Sequence, residues 1–184
     1  MAIRAFVAVE VRCSDRLALL VSQLRSIGSP VRAVADANMH LTLRFLGSID
    51  EAQIESITSA VAGAADGVGP FDFDLCRVGA FPNERRPAVI WVGVDDGGRF
   101  APIVARLNVR LADLGISADV RPWHPHITVA RIKARPPRRL YDLIRQHRGD
   151  PFGRTRVERI ELIRSDLSPA GPSYTTLSQV PLEE

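Results

Sequence analysis

Residues 3–11 alternate apolar and polar side chains around Phe6, the period-two pattern of a strand with one buried face. Residues 15–27 then place apolar side chains at helical spacing, with Ser14 as a candidate N-cap and Gly28 and Pro30 as stops. A short strand over residues 31–34 and a longer one over 40–46, closed by Gly47, lead into a second helix at residues 50–65. Residues 71–78 and 88–94 read as two strands joined by a turn region at 79–87. A third helix over 100–114 stops at Gly115, where a left-handed C-cap is expected. A strand at 126–132, a helix at 138–148 and strands at 156–163 and 174–180 complete the chain. This order runs through strand, helix, strand, strand, helix, strand and then repeats. It predicts an α+β fold of two pseudo-symmetric lobes, each an antiparallel sheet with outer helices, the sheets facing across a central cleft. With 184 residues, the expectation is one bilobal domain over residues 1–184 sharing one core.

The repeat is sharpest at two tetrapeptides, His40-Leu41-Thr42-Leu43 and His126-Ile127-Thr128-Val129. Strand parity places His40 and Thr42 on one face and Leu41, Leu43 and Phe45 on the other; His126 and Thr128 likewise oppose Ile127 and Val129. If a pseudo-two-fold axis relates the copies, two imidazoles and two hydroxyls converge on one cleft. Opening a cyclic phosphodiester requires taking a proton from water on one side of phosphorus and giving one to the departing ribose oxygen on the other. Imidazole, with an ordinary pKa of about 6.5, serves in either role near neutral pH. The threonine hydroxyls suit the non-bridging phosphate oxygens. The scheme needs no metal and no cofactor. Symmetry alone leaves open which histidine is the acid.

These motifs resemble those of the RNA 2′,3′-cyclic phosphodiesterases, the 2′-5′ RNA ligase family of the two-histidine phosphoesterase superfamily. Arg4 to Ala8 is similar to the family's opening strand, Asn38 to Gly47 to its first motif, and Gly79 to Pro82 with Val89 to Gly93 to its central segment. Pro125 to Arg131 resembles the second motif, and Ser165, Gly171-Pro172 and Tyr174 its ending. The resemblance implies hydrolysis of RNA 2′,3′-cyclic phosphate ends to 2′-phosphomonoesters. His40 would be the proton donor, His126 the acceptor, and Thr42 and Thr128 the phosphate ligands. It also extends to joining RNA ends through a 2′-5′ bond in the reverse direction.

Other residues have weaker claims. Arg131 offers a planar fork for phosphate, but its parity is opposite to that of His126 unless the strand bulges near Ala130. Arg44 shares parity with His40. Phe81, Trp123 and Tyr174 are candidates for stacking on a base, and Arg135, Arg138 and Arg139 for following an RNA backbone. His124 and His126 form an HxH pair without an evident carboxylate to complete a zinc site.

Composition adds a partner. The net charge is +3, yet residues 121–164 hold eleven Arg and one Lys against four acidic residues, a balance of +8 that leaves −5 for the rest. Such asymmetry favours an anionic partner, and RNA with a cyclic phosphate end fits it. Apolar runs too short to span a bilayer and an N-terminus without a signal-peptide pattern predict a cytoplasmic protein that needs neither a membrane nor an obligate protein partner. Cys13 and Cys76 lack redox or metal spacing. Two competing readings are a non-catalytic module that binds RNA ends and a phosphodiesterase acting on a small cyclic nucleotide.

Overall fold

A computed structural model describes residues 2–117, 122–169 and 171–183. Strand β1 (Ala2–Glu10) leads into helix α1 (Asp15–Arg25), β2 (Val31–Ala33), β3 (His40–Asp50) and α2 (Ile54–Ala65). Next come β4 (Phe71–Phe81), β5 (Val89–Asp95), α3 (Phe100–Asp113), β6 (His126–Ile132) and α4 (Arg138–Gln146). Strands β7 (Pro151–Val157), β8 (Arg159–Ser168) and β9 (Gly171–Pro181) end the described chain.

Local chemistry accounts for the helices. The Ser14 hydroxyl accepts from the Leu17 amide, Asp15 sits in the first turn and Arg25 in the last, so cap and macrodipole both favour α1. Its buried stripe is Leu17, Leu20, Val21 and Leu24. Ahead of α2, Asp50 and Gln53 form a reciprocal capping box. Helix α3 buries Phe100, Ile103, Val104, Leu107 and Leu111 at helical spacing.

The strands form a curled antiparallel sheet in the order β7-β4-β5-β6-β3-β1-β8-β9, with β2 also pairing β6. One lobe is β3, β1, β8 and β9; the other is β6, β5, β4 and β7. The two lobes meet at a single ladder pair, Leu41 opposite Ile127. The helices cover one face. Helix α1 packs on β2, β6 and β7, α4 on β4, while α2 and α3 pack together and against β9 and β3. Leu41, Leu43, Ile127 and Val129, at most 1% exposed, point into this helix-covered core. The opposite face carries a small separate cluster of Phe6, Ala8 and Ile163 under Tyr174.

Strand β7 is absent from the predicted elements. It opens on Pro151, contains Gly153 and lies at the sheet edge, where proline is tolerated and alternation is weak. Strand β3 passes beyond its predicted stop at Gly47, because that residue takes a left-handed φ of 71° at a register shift against β1 and the ladder resumes on to Asp50.

Two further bulges matter more. Against β1 the register steps from Ala8–Thr42 to Val7–Arg44, so Leu43 is extra. Against β5 it steps from Trp91–Thr128 to Ile90–Ala130, so Val129 is extra. Each bulge falls three residues after its histidine, and a bulge swaps the faces of everything beyond it. The uniform alternation expected for β3 is therefore corrected. Arg44, expected beside His40, is 5% exposed, and its guanidinium donates to the Ser117 carbonyl. Phe45, expected in the core, is 58% exposed with its ring 6.1 Å from Phe6.

Candidate active site

The pairing of Leu41 with Ile127 sets the geometry of the site. One residue to either side, the antiparallel register brings His40 across from Thr128 and Thr42 across from His126, all four on the face away from the helices. The pseudo-two-fold axis passes between the two aliphatic residues. All four side chains are half-buried.

Both imidazoles are held in the same way. His40 Nδ1 lies 2.8 Å from the Asn38 carbonyl, and His126 Nδ1 lies 2.6 Å from the His124 carbonyl. A carbonyl only accepts, so Nδ1 carries the hydrogen in each ring and Nε2 is the nitrogen left to exchange a proton. Aromatic neighbours fix the planes. Phe6 lies 4.7 Å from the His40 ring and Tyr174 stands edge-on at 5.2 Å, while Phe81 stands edge-on 4.9 Å from His126.

Burial pushes the His40 pKa below the ordinary 6.5; the Asn38 carbonyl opposes that, and the charges of Arg131 and His126 reinforce it. Burial also lowers His126, opposed by the His124 carbonyl and helped by the His124 ring. Each ring thus acts as a better acid than free imidazole, and His40 feels the charge of His126 directly.

The Val129 bulge turns Arg131 onto the His126 face, where its charge reaches both His40 and Tyr174. Among the described residues no carboxylate pairs with Arg131, and neither threonine hydroxyl has a protein partner. One cation and two hydroxyls are therefore free to meet an anion between the imidazoles. No group of three or more His, Cys, Asp or Glu side chains among the described residues is placed to hold a metal ion.

The aromatic candidates separate. Phe81 and Tyr174 line the cleft. Trp123 does not: its indole packs on the core 6.2 Å from Phe100, and Nε1 donates to the Thr42 carbonyl at 3.0 Å, so it braces the strand that carries the site. Trp91, not among the predicted site residues, lies 5.4 Å from Phe81 and 5.1 Å from His124. Its pairing with Gly79 of β4 leaves a bare patch of backbone under the indole; a Cβ at Gly79 would fall 2.2 Å from the ring. Gly79 opposite a tryptophan was the available signal in the sequence, but only the register reveals that they share a face.

Comparison with known proteins follows this symmetry. The family model described as LigT like phosphoesterase matches twice, over residues 7–91 and 92–174. The chain belongs to the LigT-like phosphoesterase family. Among curated relatives, the RNA 2′,3′-cyclic phosphodiesterase of Methanothermobacter thermautotrophicus is 33% identical over 180 residues, covering 96% of this chain and 97% of that protein. The protein of the same name from Aeropyrum pernix is 37% identical over 167 residues, covering 90% and 94%. A LigT-like fold is also seen in the crystal structure of a Thermus thermophilus protein, with a TM-score of 0.82, 31% identity and 98% of each chain covered. No helix among the described residues of this LigT-like phosphoesterase is long and apolar enough to cross a membrane.

Proposed function

We propose that this chain hydrolyses the 2′,3′-cyclic phosphate at RNA ends, leaving a 2′-phosphomonoester, with His40 and His126 as its acid–base pair. The supporting observation is the paired imidazoles: both have Nδ1 tied to a backbone carbonyl two residues back, and among the described residues both Nε2 atoms and the flanking threonine hydroxyls across the one ladder pair are without a protein partner. Curated relatives that carry this activity in their names match nearly the full chain.

The chemistry balances with water alone. Water oxygen attacks phosphorus while one Nε2 takes its proton; the bond from phosphorus to the ribose 3′ oxygen breaks, and the other Nε2 gives that oxygen a proton. One water is consumed, a 3′-hydroxyl and a 2′-phosphate form, and the imidazoles exchange protonation states. Thr42, Thr128 and Arg131 hold the non-bridging oxygens, whose charge grows in the transition state. The family resemblance makes His40 the donor. A cation beside His40 weakens that ring's hold on its proton, which suits a donor. Phe81 and Tyr174 frame the adjoining base and ribose. The two lobes work as one domain, since the site needs a strand from each. The free thiols Cys13 and Cys76 suit the reducing cytoplasm.

The test uses a defined oligoribonucleotide ending in a 2′,3′-cyclic phosphate, with mass and phosphate position of the product resolved. The expected product carries a 2′-phosphate, EDTA leaves the rate unchanged, and His40→Ala or His126→Ala each slow turnover by roughly 10²–10⁴-fold. Turnover of a small cyclic nucleotide without the oligonucleotide would point to a different substrate. RNA binding without turnover, unaffected by His40→Ala, would reduce the chain to a binding module.

A further inference from the structure

Trp91 has two sides. One edge faces His124 and His126; the other forms a wall of an open groove of about 680 Å³ running across β4, with Arg77, Asn83, Arg85 and Arg148 along it. A second groove of about 470 Å³ continues from the first through the shared residues Glu84 and Arg85 to Arg138, Tyr141 and Arg145 on α4. Trp91 thus borders both the cleft and the first groove, and Glu84 and Arg85 border both grooves, so the three adjoin one another over the second lobe.

These adjoining grooves are basic by construction. Five arginines line the two grooves against one carboxylate, Glu84, which is taken by Arg148 at 2.6 Å. Arg145 is engaged by Asp142. Arg77 and Arg85 have no carboxylate partner among the described residues.

Arg77 reaches this surface through an unusual backbone. Phe71, Phe73 and Leu75 alternate into the core, so an unbroken strand would send residue 77 inward as well. A bulge between Cys76 and Val78 instead puts Arg77 at φ 64°, a conformation that non-glycine residues rarely adopt, with its side chain exposed. There its Nε lies 3.9 Å from the position a Cβ would take on Gly93, and Gly93 pairs with His126. Strained backbone of this kind marks places where function holds a side chain in position. Two glycines, Gly79 and Gly93, keep the floor bare beneath Trp91 and Arg77.

Trp91 is half-buried and presents part of its indole to the groove, and an aromatic face followed by unpaired guanidiniums is how proteins hold single-stranded nucleic acid: bases stack on the ring and phosphates meet the cations. We propose that the groove bounded by Trp91, Arg77 and Arg85 holds the single-stranded RNA immediately upstream of the cyclic phosphate. This rests on the hydrolase reading above and adds a direction: the strand leaves the site over β4 and α4 of the second lobe. The groove makes the enzyme prefer an RNA end to a cyclic mononucleotide.

The test is a length series from cyclic mononucleotide to short single-stranded oligoribonucleotides, all ending in a 2′,3′-cyclic phosphate. It is run on the wild type, Arg85→Gln and the double variant Arg77→Asn/Arg85→Gln. Asparagine tolerates the left-handed backbone, and Arg85 lies in an exposed turn closed by Asn83 Oδ1, so both variants keep the fold. The double variant is expected to lose roughly tenfold in kcat/KM on the longer substrates, to stay within about twofold on the mononucleotide, and to show a log-log salt slope shallower by roughly 1.4, about 0.7 for each lost phosphate contact. Equal losses on both substrates, or none on the longer ones, would overturn the proposal. Fluorescence anisotropy with a 3′-hydroxyl oligoribonucleotide separates this inference from the catalytic one. Weaker binding to the double variant supports the groove even if no cyclic phosphate is turned over, and unchanged binding overturns it even if hydrolysis is robust.

Discussion

Replacing Gly79 with alanine tests whether Trp91 is a fixed part of the site. The new Cβ would meet Trp91 Cζ2 at 2.2 Å, Cη2 at 2.4 Å and Cε2 at 2.7 Å, all below any tolerated contact. Both residues sit in paired strands, so the backbone yields little and the ring must move. Overpacking of this kind costs about 1–3 kcal/mol. For a chain of this length that is a fall of roughly 2–12 °C in Tm. Displacing the indole also disturbs Phe81, 5.4 Å away, and through Phe81 the His126 ring at 4.9 Å. Gly79→Ala is therefore expected to lower kcat/KM as well as Tm. The decisive assay is a double-mutant cycle by thermal melting. In a Trp91→Leu background no ring lies over residue 79, so the alanine should cost less than about 0.5 kcal/mol, leaving an interaction energy in the range of roughly 0.5–3 kcal/mol expected for contacting residues. Additive costs, or a Gly79→Ala variant as stable as the wild type, would refute the account of the platform.

The pH profile of kcat/KM should be a bell whose two limbs report the free enzyme's histidines; both are lowered by burial, so the optimum should lie on the acid side of 6.5. Arg131→Ala removes a charge that lowers His40, so the His40 limb should move to higher pH, and an NMR titration showing no upward shift would refute that coupling. Thr42→Val and Thr128→Val should each cost roughly 10²–10³ in kcat with Tm nearly unchanged, because neither hydroxyl has a protein partner among the described residues; a large Tm loss would show them to be structural. Ser14→Ala removes a helix cap and should lower stability by about 1 kcal/mol without changing kcat, as read by chemical denaturation and steady-state kinetics.

Alternation around His40 and His126 made the strands and the shared face of each His–Thr pair legible, because parity within three residues is a local property of the chain. The bulge at Leu43 was not legible, and the one at Val129 was only an open alternative near Ala130. A bulge is settled by the partner strand's register, and nothing in Leu-Arg-Phe or Val-Ala-Arg distinguishes it from plain alternation. That single omission misplaced both Arg44 and Phe45 and left Arg131 undecided. Trp123 was expected at the cleft and Trp91 was not singled out, for a similar reason: which face an indole occupies depends on β4–β5 pairing and on packing against α3, both remote in sequence. Strand β7 escaped notice because edge strands tolerate the proline and glycine that mark loops elsewhere.

The order of the strands has one more consequence. The first half of the chain, through β5, gives β1 and β3 to one lobe and β4 and β5 to the other; the second half gives β6 and β7 to the latter and β8 and β9 to the former. The lobes are interlaced, so severing the polypeptide in the turn after β5 separates neither of them. Each fragment would own part of the shared hydrophobic core and one member of the His40–His126 pair, and the two would regain a complete cleft only by reassembling as a complementing pair.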